Sequence, residues 1–507
     1  MTAPRMRSRR LVALPLGMVT ATAFALLPNV TASAAEAAPQ TATADATSLS
    51  YVVNIATGQG PTATVKKSIA GAGGTIVIAY DQIGVIVVHS ANPDFARTIR
   101  KVPGVQSAGA TRTAPLAPQS TTEAGTPKVL SAREVASVQA AEGQDPLEPF
   151  QWDLPAIKAD KAHEKTLGSR EVTVAVIDTG VDDTHPDLAP NFNREASVNC
   201  VSGKPNTTHG AWRPGTSSGS AHGTHVAGEI AAAKNGIGMT GVAPGVQVAG
   251  IKVADPKDYV YTESVVCGFV WAAEHHVDIT NNSYYTDPWN YNCLDDADQK
   301  ALVDAVVRAS QYAERKGTVN VAAAGNERHD LDADSIADPA SPDDGTPGDR
   351  VIDPHKCLDL PPQLPGVVTV SATGAKGIKS SFSNYGHGVI DVAAPGGDSV
   401  RYQPPASPAA NGGILGTMPG GTWGYAVGTS MASPHVAGVA ALIKSTHPHA
   451  TAGQVKAMLY AQADATPCTD PYDINSDGKI DAVCKGSKNH NGFYGVGIVN
   501  ALNAVTK

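Results

Sequence analysis

Three stretches of this 507-residue chain set an acid, a base and a hydroxyl beside glycines and small residues. Asp178 follows the apolar run Val172 to Ile177 and precedes Thr179 and Gly180. A carboxylate at the carboxyl end of a strand lies where open α/β sheets collect ligands, so it can orient an imidazole, bind magnesium or cap a turn. His222 opens the run HGTHVAG, in which a His, a Gly and a small-residue helix let an imidazole project into a cleft. His225 lies one turn further on and competes for that role; its plainer fate is a packed histidine hydrogen-bonded inside the fold. Metal binding by the pair lacks the HExxH pattern that gives such sites their base. Ser430 lies in GTSMASPHVAG, a glycine-flanked turn into a helix of small residues. A hydroxyl there gains exposure, a nearby backbone N–H and the positive end of a helix dipole, which a nucleophile attacking a carbonyl needs. A Ser before a helix is also an ordinary N-cap. A carboxylate, an imidazole and a hydroxyl are the groups that acyl transfer uses, and no one of the three stretches decides it alone.

A fourth stretch, Asp473-Ile-Asn475-Ser-Asp477-Gly478-Lys-Ile480-Asp481, has oxygen-bearing side chains at alternate positions and Gly at the turn. That is the opening of an EF-hand-type calcium loop, but Cys484 stands where the bidentate Glu belongs. The stretch reads either as a structural calcium site or as a polar loop closed by a disulfide.

Such residues act only when a sheet positions them. From about Leu147, apolar runs at Val172 to Ile177, Val246 to Val253, Thr318 to Ala324 and Val367 to Ser371 read as buried strands. Asp295 to Arg315 reads as a long amphipathic helix, and Thr451 with Gln454 as a capping box opening a helix to about Gln462. The alternation predicts an α/β domain over residues 147–507, a doubly wound, mostly parallel sheet with helices on both faces. Ahead of it, residues 48–113 show three strand patterns, starting near Tyr51, Thr75 and Gly84, and two helical ones, a small α+β unit. Residues 114–146, rich in Ala, Pro, Thr and Ser, form a loose linker suited to processing. Residues 1–35 have the layout of a signal peptide: Arg5, Arg7, Arg9 and Arg10, an apolar run from Leu11 to Leu27, then Ala32-Ser-Ala-Ala35. Pro15 and Pro28 bracket a run shorter than the roughly 20 residues that span a bilayer, which argues against a membrane anchor.

The formal charge of -9 argues against nucleic acid or an anionic membrane as partner. All six cysteines lie downstream of the signal, an even number in an exported chain, so disulfides are expected. Cys468 and Cys484 bracket one short polar loop and are expected to pair; the other four stay unassigned.

The motifs VIDTG, HGTHVAG and GTSMASPHVAG, in the order Asp, His, Ser, resemble those of the subtilisin-like serine peptidases. The likeness runs from about Leu147 to Lys507 and includes His185-Pro-Asp187-Leu188, Gly241-Val-Ala-Pro244 and Tyr494-Gly-Val-Gly-Ile-Val-Asn500. It implies a subtilisin-like fold and a secreted serine endopeptidase that hydrolyses proteins or peptides through an acyl-enzyme, with Ser430 attacking, His222 taking its proton, Asp178 holding the imidazolium and no cofactor for the chemistry. We expect a monomer. By the same resemblance residues 48–113 are an inhibitory pro-domain that the enzyme removes itself, and Asn326 joins the Ser430 N–H in holding the oxyanion. Gly325 and the strand Asn281-Asn-Ser283-Tyr-Tyr285 would line the substrate cleft, and Asp187 with Asn235 match positions that bind calcium in many members. Tyr285 stands where the family carries Gly, so Tyr284 and Tyr285 would narrow the cleft or form an aromatic wall. A catalytically silent binding protein on the same fold is the alternative, and Tyr285 is the residue that points to it.

Overall fold

The computed structural model describes residues 48–58, 60–113, 128–130, 134, 135, 138, 142–217 and 219–507. The expected signal peptide and most of the expected linker lie outside the described residues. Among the described residues no helix is long and apolar enough to cross a membrane.

A seven-stranded sheet forms the centre, in the order Val392–Pro395, Val368–Thr373, Val319–Ala323, Ile279–Asn282, Thr173–Asp178, Gln247–Lys252 and Val198–Asn199. Its pairings are parallel throughout. The strands read from apolar runs appear within two residues of their expected bounds. Their side chains are buried because helices cover both faces, as parallel strands require. On one face lie His222–Ala231 and Thr429–Thr446, with Val226, Ile230, Val436 and Ala440 packed against Val174, Val176 and Val321. On the other lie Thr262–Glu274 and Ala297–Arg315, with Val266, Phe269, Leu302 and Val306 packed against Ile177, Ile251 and Ala322.

Ile279–Asn282 has no apolar signature, yet all four of its residues are buried. Its polar side chains satisfy one another. Thr280 Oγ1 donates to Asn320 Oδ1 at 2.8 Å, and Asn282 Nδ2 donates to Val321 O at 3.0 Å. Periodicity finds apolar strands; a central strand with a paired polar ladder escapes it.

The predicted long helix begins at Ala297, where Asp296 caps it by accepting the N–H groups of Asp298 and Gln299, each at 2.9 Å. The capping box of Thr451 and Gln454 is formed, and Ala452–Gln462 follows. Outside the main sheet, Ile414–Met418 and Thr422–Ala426 make a hairpin, and Lys128–Val129 pairs with its second strand.

Residues 48–113 fold as a four-stranded antiparallel sheet, Gly74–Tyr80, Val85–Ser90, Leu49–Ile55 and Val105–Ala110, with helices Ala63–Gly71 and Phe95–Ile99. The fourth strand, VQSAGA, was not among the expected three because its small and polar residues carry little strand signal. This sheet rests on the helix Ala297–Arg315. Asn54 Nδ2 donates to Ala301 O at 2.9 Å, Ser107 Oγ to Asp304 Oδ2 at 2.7 Å and Arg308 Nη1 to Ile55 O at 2.6 Å. A Cβ on Gly109 would lie 2.3 Å from Asp298 O, so only glycine permits this approach.

Cys468 pairs with Cys484, as expected. Cys200 pairs with Cys267 and Cys293 with Cys357.

Candidate active site

Asp178 ends its strand at the carboxyl edge of the sheet, and His222 opens the helix beside it. Thr179 joins the two elements: its hydroxyl donates to Ser220 O at 2.9 Å and accepts the Gly223 N–H at 3.0 Å. The approach is so close that a Cβ on Gly223 would lie 2.6 Å from Gly180 O. His222 Nδ1 then meets Asp178 Oδ1 at 2.8 Å and Oδ2 at 3.0 Å, both residues being 2% exposed. A carboxylate only accepts, so Nδ1 carries the proton and Nε2 is the basic nitrogen of the neutral ring.

Ser430 sits in the first turn of Thr429–Thr446. That turn is fastened to the central polar strand. Ser283 Oγ donates to Ser430 O at 2.9 Å, Ser430 Oγ donates to Ser283 O at 3.3 Å, and Ser433 Oγ donates to Asn281 Oδ1 at 2.6 Å. The hydroxyl thus stands at the N-terminus of an 18-residue helix, where the dipole favours developing negative charge.

Asn326 lies beside the same turn. Its Oδ1 accepts the Thr429 N–H at 2.8 Å and the Thr429 hydroxyl at 3.0 Å, which turns its amide NH2 away from Thr429. Gly325 has φ +96, and a Cβ there would lie 2.4 Å from Asn384 Nδ2, so glycine is needed on both counts. Asn326, Phe382, Val427 and Gly412 line an open cleft of about 720 Å³.

Ser283 thus lies against Ser430, and the two tyrosines after it part company. Tyr284 is in the core, its hydroxyl donating to Asn282 Oδ1 at 2.9 Å, so it does not narrow the cleft. Tyr285 is half-buried, and its hydroxyl donates to Asp343 Oδ2 at 2.6 Å, which ties the ring to a loop of the large domain.

His225 is the packed histidine of the plainer reading. Its Nδ1 meets Glu229 Oε1 at 2.7 Å and its Nε2 meets Gly424 O at 3.1 Å, and burial lowers its pKa to about 3. His435 joins this buried group, bonding Met431 O at 2.7 Å and Asp153 Oδ2 at 3.1 Å. The motifs gave Thr179 and Thr429 no role of their own and did not point to Glu229, His435 and Asp153 as the surroundings of His225; these depend on partners distant in the chain.

Of the two calcium positions, the one at Asp187 and Asn235 departs from what the resemblance implied. Asp187 is fully buried and receives N–H groups from Trp423 Nε1 at 2.8 Å, Met239 N at 3.0 Å and Asn235 Nδ2 at 3.4 Å. Donors surround it where a cation would need acceptors, so Asp187 and Asn235 do not fit calcium. In the loop 473–481, Asp473 accepts the N–H groups of Asp477 and Gly478, and Asn475 accepts that of Asp477. Among the described residues no group of three His, Cys, Asp or Glu gathers as a metal set.

The model of the Subtilase family matches residues 169–497. Subtilisin NAT of Bacillus subtilis subsp. natto is 34% identical over 312 residues, which cover 62% of this chain and 65% of that protein. The chain thus spans a little under two thirds of that relative. Subtilisin of Bacillus pumilus is also 34% identical over 312 residues, covering 62% of this chain and 90% of that protein. The crystal structure of the epidermin leader peptide processing serine protease of Staphylococcus aureus shares the fold, with TM-score 0.64 and 23% identity over 90% of this chain and 98% of that one. Fervidolysin of Fervidobacterium pennivorans does so with TM-score 0.61 and 23% identity over 91% of this chain and 61% of that one. With the family model covering well over half its length, and the parallel sheet and its edge residues arranged as described, this chain belongs to the Subtilase family.

Proposed function

We propose that the chain is the precursor of a secreted serine endopeptidase in which Asp178, His222 and Ser430 are the catalytic triad. The observation that carries this is the paired His222 and Asp178 at the sheet edge, with Ser430 at the start of a helix packed on the same face. In the reaction His222 Nε2 takes the Ser430 proton as Oγ attacks the scissile carbonyl, and Asp178 stabilises the imidazolium through Nδ1. The oxyanion takes hydrogen bonds from the Ser430 N–H and Asn326 Nδ2. His222 then protonates the leaving amine, and water hydrolyses the acyl-enzyme by the same route in reverse. Ser283, Gly325 and Tyr285 border the substrate.

In this reading residues 1–35 are the signal peptide, 48–113 the inhibitory pro-domain, 114–146 the processing linker and 147–507 the enzyme. Its partners are protein or peptide substrates and its own pro-domain, and it works as a monomer. The disulfides suit an oxidising compartment. The alternative of a silent binding protein draws no support from Tyr285, whose hydroxyl is engaged by Asp343. A sulfonyl fluoride should modify Ser430 in the mature protein and stop hydrolysis of casein, with the adduct located by peptide mass mapping. Labelling elsewhere, with activity intact, would remove Ser430 from the role.

The chemistry needs no cofactor. Calcium in the loop of Asp473, Asn475 and Asp477 is a structural proposal, supported by the alternate oxygen spacing and the turn at Gly478, φ +85. Chelation should lower the Tm of the wild type and leave Asp477→Ala unmoved; a wild-type Tm indifferent to chelator removes the site.

A further inference from the structure

The last residues of the small α+β unit are gripped by groups that neither its sheet packing nor the triad uses. Arg112 lies two residues past the strand Val105–Ala110, and its guanidinium carbon sits 3.8 Å from the centroid of the Tyr261 ring. Its Nη2 donates to Glu263 Oε1 at 2.5 Å. Glu263 is in the first turn of Thr262–Glu274 and only 2% exposed. Burial pushes its carboxyl up, but Arg112 and hydrogen bonds outweigh this and leave it below the ordinary glutamate value. Thr113 follows, its N–H and hydroxyl donating to the two carboxylate oxygens of Asp344 at 2.9 and 2.5 Å.

These acceptors are bonded to residues proposed to border the substrate. Asp343 takes the Tyr285 hydroxyl on its carboxylate and the Tyr259 hydroxyl on its carbonyl, the latter at 3.1 Å. Tyr285 lies two residues beyond Ser283, whose carbonyl accepts the Ser430 hydroxyl. The rings of Tyr259 and Tyr261 stack at 5.7 Å, and Val260 O accepts the Asp287 N–H at 2.9 Å, so the segment that carries Tyr261 is bonded to the segment that continues from Tyr285.

We propose that Glu263 and Tyr261, with Asp344 beside them, form a substrate subsite for an arginine several residues before the scissile bond, a subsite that Arg112 fills in the precursor. The inference rests on the proposed function. The chain runs from Arg112 through Thr113 into the linker where the cut is expected, so a substrate lying in the same direction brings a residue from the amino-terminal side of its own cut to this pocket. When the small unit leaves, the carboxylates and the ring face remain, because they belong to a helix start and to a loop within the span closed by Cys293–Cys357. A guanidinium regains both the charge-assisted hydrogen bond and the stacking face; an ammonium stacks less well and pairs as a point charge.

The test uses the mature enzyme and fluorogenic peptides of one neutral sequence, with a single Arg moved stepwise from the fourth to the ninth position before the cut. One position should raise kcat/KM about tenfold over the peptide without Arg, a difference worth about 1.4 kcal/mol. Lys there should do less, added salt should shrink the gain, and Glu263→Gln should reduce it to within about threefold. A profile that is flat in an enzyme active on casein, or a peak unchanged in Glu263→Gln, overturns the subsite and leaves the proposed function standing. An enzyme inactive on casein and on every peptide overturns the proposed function, and the subsite with it.

Discussion

Asn326 has its orientation set by a neighbour of Ser430, the proposed nucleophile. Thr429 gives it two hydrogen bonds on Oδ1, so the NH2 end is presented on the side away from Thr429, and the same Thr429 hydroxyl accepts the Gly325 N–H at 3.1 Å. One threonine thereby fixes both the amide and the backbone turn that carries it. Replacing Asn326 with Ala should lower kcat about 100- to 1,000-fold with KM nearly unchanged, the cost known for losing an oxyanion donor in a subtilisin. Steady-state kinetics on a soluble peptide check this, and an unchanged kcat would remove Asn326 from the reaction. Asp178, His222 and Ser430 stood out as candidates by their motifs, the Gly after His222 among them, whereas Asn326 entered only with the family resemblance. Thr179 and Thr429 were not legible: a threonine at a turn looks the same whether or not its hydroxyl joins two elements.

At the scale of elements, Asp187 shows how one loop is held to the hairpin Ile414–Met418 and Thr422–Ala426. Trp423 donates to it from the second strand, and His185, two residues earlier, meets Thr422 O at 2.9 Å. Burial raises the Asp187 carboxyl to about 6, against the 3.8 of a free one, and the N–H donors offset only part of that. A raised acid binds its proton more tightly in the folded state, so the stability it contributes is complete below about pH 3.8 and is lost as pH rises through about 6. Between pH 4 and 7 the denaturation free energy of the wild type should therefore fall relative to Asp187→Asn by about 2 kcal/mol. Parallel pH dependences in the two proteins would contradict the assignment. Four strands of the main sheet were legible from apolar runs, and the capping box from two residues. Ile279–Asn282 escaped because its burial is made tolerable by side-chain hydrogen bonds rather than by apolar side chains, and the hairpin lay in a Gly-rich stretch whose register depends on distant partners.

At the scale of the whole molecule, the small α+β unit is joined to the large domain by hydrogen bonds and ion pairs as well as by apolar contact. Arg100 pairs with Asp298, Arg112 with Glu263, and Tyr80 Oη donates to Gly203 O at 2.8 Å. Val52, Val85 and Val87 of its sheet share a core cluster with Val266, Phe269 and Val306 of the two helices beneath. A unit held this way can cover an enzyme until the chain between them is cut, and the chain between them is the Ala-, Pro-, Thr- and Ser-rich stretch 114–146. Ser430→Ala removes one buried hydroxyl and little volume, so the fold should survive while the cut is not made. The most direct measurement is the intact mass of wild type and Ser430→Ala, each produced in a host without other proteases. The wild type should be found cut within residues 114–146 and the variant uncut, heavier by the small unit and its linker. A Ser430→Ala protein cut at the same place as the wild type would contradict the account, because the chain would then be processed without its proposed nucleophile.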